Sequence, residues 1–474
     1  MYKLEKVISE QLVAQIWQQQ LVPKLVTDSG EEVCVIFPGR LCSDGGSDFC
    51  DAVLTIGDKI IKGDIEIHVR SSQWYDHGHH KDSKYNNVVL HVVMWHDCPE
   101  STVLQNGNII PSVCLSTFLV YPLNHSHQKI NLLYRCTPSC KKAGAYFTNE
   151  SLSAVLVAAG KERFASKVAS FQGGLATGDA GQLLFKSMAR ALGYDKNTKP
   201  CENLADMLPL KILEERENDG SGIIHQALIL GSAGLLPFQR LKSKSISYEK
   251  SEVAELETIW RSSHISRVMN QSDWQFFRVR PHNFPTRRLV ALGYLVNRYR
   301  QHGLLQGILN LVNESPHNQE YRWIENGLII LGQDYWVNHS DFGVITSKSP
   351  ALLGRNKAAE IVINVILPFA YAWGALYSIP ELKEKAKGIY LSFPKLESNQ
   401  LVRFMKQQLL LRPDFSLSAS QQQGLVHIFK NYCRYKDCEE CPITINLNQD
   451  WVSHQCHSHL FSRIDSGNSH KLRS

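Results

Sequence analysis

The chain has 474 residues, 43% of them hydrophobic and 20% charged, with a formal net charge of +6. This length and apolar content support a large core divided among two or three domains. The modest charge excludes a strongly basic, polyanion-coating chain, while leaving a nucleic-acid partner open.

The first predicted element is an amphipathic helix over residues 4–20, with Leu4, Val7, Ile8, Leu12, Ile16 and Trp17 on one side. Charges break this stretch, so it is no signal peptide, and the expected location is cytoplasmic. Short strands rich in Val and Ile follow: EEVCVIFPG (31–39), DAVLTIG (51–57), GDIEIHVR (63–70) and NVVLHVVMW (87–95). From about Ser151 to Tyr432 the texture is helical, with weaker stretches near Asn313–Asn318 and Asp334–Ser349. The uncharged run Ile361–Ile379 carries Asn364 and Pro368 and is read as a buried helix, with no membrane partner expected. The tail after Pro442 is polar, and Ser466–Ser474 is expected to be disordered.

In GDIEIHVR the side chains alternate, placing Asp64, Glu66, His68 and Arg70 on one face and Ile65, Ile67 and Val69 on the other. A solvated outer face explains that pattern too. Asp48 and Asp51, one hairpin earlier, reach Glu66 if strands 51–57 and 63–70 pair antiparallel around a Gly57–Asp58 turn. Carboxylates brought together in this way suit Mg2+ or Mn2+. The following WYDHGHHKDSKYNN supplies His77, His79, His80 and Asp82, read as exposed loop residues, substrate contacts or a second metal position. His91, among valines, is read as a hydrogen-bonded core histidine.

These residues resemble the core of the PD-(D/E)xK nuclease superfamily, in the pattern SDF…A…GDxExH. The resemblance implies a restriction-endonuclease-like mixed sheet preceded by a helix, with Asp48 and Glu66 as metal ligands. It puts His68 at the position of a lysine that orients or deprotonates water, and it makes Glu10 a candidate carboxylate from the helix. Ser47 and His68 replace the motif's proline and lysine. A neutral imidazole can serve as a base near pH 7, and Arg70 can steady charge on a phosphate. Across its length the chain is also identified as a member of a bacterial family known as domain of unknown function 2851. GDIEIHVRSSQWYDHGHH, YNNVVLHVV, RVRPHNFPTRRL, GRNKAAEIVINVILP and QQGLVHIFKNYCRYKDCEECPI carry that identification.

The segment FRVRPHNFPTRRL holds Arg278, Arg280, Arg287 and Arg288 among prolines and phenylalanines. It is read either as a nucleic-acid contact or as pairing with carboxylates of the helical region, with Pro285 opening a helix. Of the twelve cysteines, Cys433, Cys438 and Cys441 form C-x4-C-x2-C before Pro442, a metal-site spacing. The fourth ligand is expected from Cys136 or Cys140, or from His454, Cys456 or His457. Zn2+ or an iron–sulfur cluster fits such a set, and the nuclease resemblance leans toward a [4Fe-4S] cluster.

The expected fold is therefore α+β: a nuclease-like domain over 1–145, a mainly helical domain over 146–443, and a polar tail over 444–474. The expected activity is divalent-metal-dependent cleavage of DNA or RNA. The alternatives are a nucleic-acid-binding protein that has lost catalysis and a small-molecule metal hydrolase built on the histidines.

Overall fold

The computed structural model describes residues 8–19, 25–42, 46–117, 140, 147–215, 221–240, 251–277, 279–346, 351–411, 415–435 and 437–446. The fold is α+β, with a sheet in the N-terminal part and mostly helices after it. It divides into two compact units. The first comprises Met1–Val155, Asn399–Phe415 and Leu425–Ser474, and the second Leu156–Ser398 and Ser416–Gly424. Residues 399–415 and 425–443, expected with the helical domain, thus group with the sheet. Cys136, Arg278 and the tail from residue 447 onward, with His454, Cys456 and His457, lie outside the described residues.

The first unit opens with α1 (Glu10–Gln19), followed by β1 (Leu25–Val26), β2 (Glu32–Phe37), β3 (Arg40–Leu41), β4 (Phe49–Ile56) and β5 (Lys59–Arg70). A crossover containing α2 (Gln73–Asp76) leads to β6 (Val88–Trp95), and β7 (Thr102–Val103), β8 (Ile109–Ile110) and β9 (Ser112–Cys114) follow. The main sheet runs β1-β2-β4-β5-β6-β9, with β3 continuing along β4. β4 and β5 are antiparallel, as the hairpin reading requires, and β5, β6 and β9 are parallel. Gly57 takes φ +56° in the two-residue turn where Ile56 pairs with Lys59, a conformation that side chains with a Cβ resist.

The sheet is buried on both faces at β5. Ile65 and Ile67 join Val13, Ile16 and Trp17 of α1 in one apolar cluster. On the opposite face, Trp74 and Tyr85 of the crossover form a smaller cluster with Val88, Leu104 and Ile110. The Trp74 indole N–H donates to the Val103 carbonyl at 2.9 Å, which ties the crossover to β7.

The second unit is built on a large core of Leu, Ile, Val and aromatic side chains. Its apolar segment Arg355–Leu376 is long enough to cross a membrane by length and composition, with mean hydropathy 1.6, yet 67% of it is buried inside the protein. Pro368 offers no N–H to the Asn364 carbonyl one turn back. A π-helical stretch, Val362–Ile366, precedes it, and Lys167 Nζ donates to that carbonyl at 3.2 Å. Arg240 makes a bidentate pair with Asp341 at 2.8 and 2.9 Å inside this unit.

Gly63 of β5 is packed against the next strand. A Cβ there would stand 2.2 Å from Val89 Cγ1 and 2.6 Å from the Asn87 carbonyl. Gly63→Ala is therefore expected to lower stability by about 1–3 kcal/mol through overpacking. Gly173→Ala, in an open stretch of helix Asn149–Thr177 with nothing within 4 Å, is expected to be neutral or to add up to about 1 kcal/mol. Scanning calorimetry of the two variants against the parent checks both.

Candidate metal centre

A bulge in β4 sets the geometry. Phe49 pairs with Ile65, whereas Ala52 pairs with Gly63, so β4 carries one residue more than β5 across this interval. Asp51 takes φ +57° within it. Strict alternation would put Phe49 and Ala52 on opposite faces. With the bulge both face the α1 cluster, and Asp48 falls beside Glu66 on the other face.

Asp48 and Glu66 are clasped across the strands. The Asp48 N–H donates to Glu66 Oε2 at 3.0 Å, and the Ile67 N–H donates to Asp48 Oδ2 at 3.0 Å. Glu66 is 5% exposed. Its Oε1 lies 3.2 Å from His79 Nε2 and 3.7 Å from His68 Nε2. His68 Nε2 in turn lies 3.2 Å from both His77 Nδ1 and His79 Nε2. His68, His77 and His79 each offer one nitrogen, and these atoms all lie within 4.8 Å of one another. His68 and His79 are buried and His77 is exposed, so the cluster opens to solvent on the His77 side.

Burial holds His68, His79 and His91 neutral. Burial first, and then the neighbouring His91, His79 and His77, take His68 from 6.5 down to about 2. Burial likewise takes His79 to about 4 and His91 to about 3. Neutral rings present lone pairs, as metal ligation requires. Behind the cluster, His68 Nδ1 meets His91 Nε2 at 2.9 Å, and His91 Nδ1 meets Thr102 Oγ1 at 3.1 Å. One tautomer set fits a lone pair on His68 Nε2: His68 donates from Nδ1 to His91, and His91 donates from Nδ1 to Thr102. Such an outer hydrogen-bond chain fixes ring orientation and raises ligand basicity.

The remaining candidates fall elsewhere. Arg70 is exposed at the end of β5, with Nη1 3.5 Å from Asp97. Asp51 pairs with Arg40 at 2.6 Å. Glu10 accepts from Gln73 Nε2 at 3.3 Å. Asp82 caps a turn by accepting from the Lys84 N–H at 3.0 Å, and His80 packs on Tyr75.

Arg287 and Arg288 do not serve a bound strand. Arg287 is fully buried and donates to the carbonyls of Trp336 and His339. Arg288 donates to the Leu352 carbonyl, to Tyr194 Oη at 2.9 Å and to Asn283 Oδ1 at 2.6 Å. Both are taken up inside the protein, by carbonyls, a phenol and an amide and not by the carboxylates expected, and Pro285 does open helix Pro285–Arg298. Arg280 is exposed.

Thr102 carried no signal in the sequence. His91 showed as a core histidine, but its tie to His68 depends on the parallel register that pairs Glu66 with His91.

A cation is expected at this cluster. Protein incubated with Zn2+, Mn2+ or Co2+ and then desalted is expected to retain one ion that Glu66→Gln or His79→Ala removes. His91→Phe should weaken retention by about 10–100-fold, as loss of an outer partner does. His80→Ala should leave it unchanged. Metal analysis across the four variants decides, and equal retention in all of them would leave a metal-free network of neutral imidazoles.

The family model described as "Protein of unknown function (DUF2851)" matches residues 10–400. No curated protein and no solved structure matches. With most of its length covered by that one model, the chain belongs to the DUF2851 family.

Proposed function

We propose that the chain is a divalent-metal-dependent phosphodiesterase, a nuclease acting on DNA or RNA through the first unit. The observation that carries this reading is the convergence of His77 Nδ1 and His79 Nε2 on His68 Nε2, with Glu66 Oε1 against His79 and His68 and Asp48 beside it. Two features support the phosphodiester substrate. The order of a helix, antiparallel β2, β4 and β5, a crossover and parallel β6 resembles the PD-(D/E)xK core, and Asp48 and Glu66 stand at its acidic positions. The restriction-endonuclease-like fold is thus part of the proposal.

Three nitrogens and a carboxylate favour Mn2+ or Zn2+ over Mg2+, which prefers oxygen. Such an ion, when bound, supplies Lewis-acid polarisation of a phosphoryl oxygen and acidification of the attacking water. Glu66, His68, His77 and His79 would hold it. Asp48 fixes Glu66 from the neighbouring strand. His68 has a ring nitrogen on His91, so it serves as ligand and orienter. Arg70, exposed on the same strand, is placed to meet a phosphate, and Arg280 remains a candidate strand contact.

The histidine-rich donor set also favours a second reading, a metal hydrolase with a small-molecule substrate. Cleavage assays separate the two. Purified protein with Mn2+ or Zn2+ is expected to cut single- or double-stranded DNA or RNA, and to stop in chelator. Glu66→Gln and His79→Ala should each cost more than about a hundredfold, beyond the loss from an outer partner. If metal is retained but no nucleic acid is cut with any divalent ion, the nuclease reading falls. Hydrolysis of small phosphoesters or amides would then support the second reading, and nucleic-acid binding alone would mark a protein without catalysis.

A further inference from the structure

The cysteines near the C-terminus have no part in the histidine cluster. Cys433 opens a short turn, Cys433–Tyr435, after helix Ala419–Asn431. Cys438 and Cys441 follow in a turn where the Cys441 N–H points to the Cys438 carbonyl at 3.4 Å. Cys140 arrives from far upstream. Its sulfur accepts from Gln408 Nε2 at 3.7 Å, and it lies in electrostatic range of Cys438 and Cys441. Cys433 is in range of all three. Cys140, Cys433 and Cys441 are 4%, 8% and 3% exposed, and Cys438 is half-buried.

A second observation concerns Cys441 alone. Burial raises the Cys441 thiol above its ordinary value, and the backbone N–H groups of Ile443 and Thr444 oppose that rise. A thiol is a weak acceptor and gains little from two such donors, whereas a metal-bound thiolate is a strong one. Four cysteines drawn from residues 140 and 433–441 are also more than packing requires, because any small apolar side chain would fill the same volume.

We propose that Cys140, Cys433, Cys438 and Cys441 form a four-thiolate site for a thiophilic centre, either Zn2+ or an iron–sulfur cluster. Cys140 takes the fourth place that the sequence left open between several residues. The site fastens the segment after helix Ala419–Asn431 to the first unit, where Phe37 also packs edge-on to Phe404 and Phe429 with ring centroids 5.2 Å apart.

A single tetrahedral ion with Zn–S bonds of about 2.3 Å holds sulfurs about 3.8 Å apart, whereas a multi-iron cluster holds them farther apart.

The test uses the full chain purified anaerobically, with zinc, iron and acid-labile sulfide measured. The His79→Ala background keeps metal at the histidine cluster out of the count. Stoichiometric zinc without colour identifies the single ion. Iron with sulfide and visible absorbance bleached by dithionite identifies the cluster. Either result supports the proposal if Cys140→Ser, Cys433→Ser, Cys438→Ser and Cys441→Ser each reduce the metal at least twofold while Cys98→Ser does not.

A variant that fails to fold is replaced by labelling of the parent, with alkylation at each cysteine read by mass spectrometry. The four cysteines should be protected as purified and label several-fold faster after chelation. No cysteine-dependent metal, even after reconstitution with zinc or with iron and sulfide, would overturn the proposal. Equal labelling before and after chelation would overturn it as well. Neither result bears on whether the histidine cluster cleaves phosphodiesters.

Discussion

A carboxylate held at 5% exposure between a sheet and its covering segment must be met by donors or by a cation, and Glu66 is such a group. One oxygen is met by the Asp48 N–H at 3.0 Å. The other faces His79 and His68, rings that burial holds neutral. A neutral ring offers one N–H, and His68 directs a nitrogen toward His91. Where His68 donates to His91, its Nε2 carries a lone pair and Glu66 Oε1 is left to the N–H of His79.

That arrangement depends on the two faces of β5 being enclosed by different means. The α1 cluster buries Ile65 and Ile67 and makes their face purely apolar. A parallel partner for β5 requires a crossover of a dozen or more residues, and here the crossover brings His77 and His79 over the second face. Trp74 anchors it. Its ring lies 5.4 Å from His79 and 5.2 Å from His91, with its indole N–H on the Val103 carbonyl. The connection required by topology is thus also the segment that brings His77 and His79 to His68. Cys42 and Cys50, joined as a disulfide, lie on either side of Asp48 in the chain.

Much of the first unit was legible because strand alternation is a local signal. GDIEIHVR declares its two faces, and the Gly57–Asp58 turn declares the hairpin. The bulge was not legible. Nothing in FCDAV marks where an extra residue enters, yet the bulge decides that Asp48, and not Asp51, stands by Glu66. The crossover histidines were visible as residue types, but their convergence on His68 depends on a parallel register that no short-range pattern encodes. Arg287 and Arg288 misled for a similar reason. Their cluster is basic in sequence, whereas in the fold their guanidinium groups neutralise backbone carbonyls in the second unit. Such partners carry no formal charge and leave no mark in a sequence.

The identity of residue 68 follows from the same physics. A lysine at a position 1% exposed, among neutral imidazoles, would have to shed its proton or find a carboxylate. Glu66 is the near candidate, but an ion pair there would withdraw Glu66 Oε1 from His79. Histidine avoids the conflict. It is neutral when buried, directs one nitrogen to His91 and keeps the other for the cluster. Exchanging lysine for histidine in such a frame changes the chemistry available at the position from proton transfer by a flexible ammonium to ligation by a fixed ring. It also shifts the metal preference from oxygen-loving Mg2+ toward ions that accept nitrogen. In the nuclease reading, the departure from the PD-(D/E)xK pattern at His68 and the histidines of the crossover are then one adaptation, since each is of use to a nitrogen-bound ion only in company with the others.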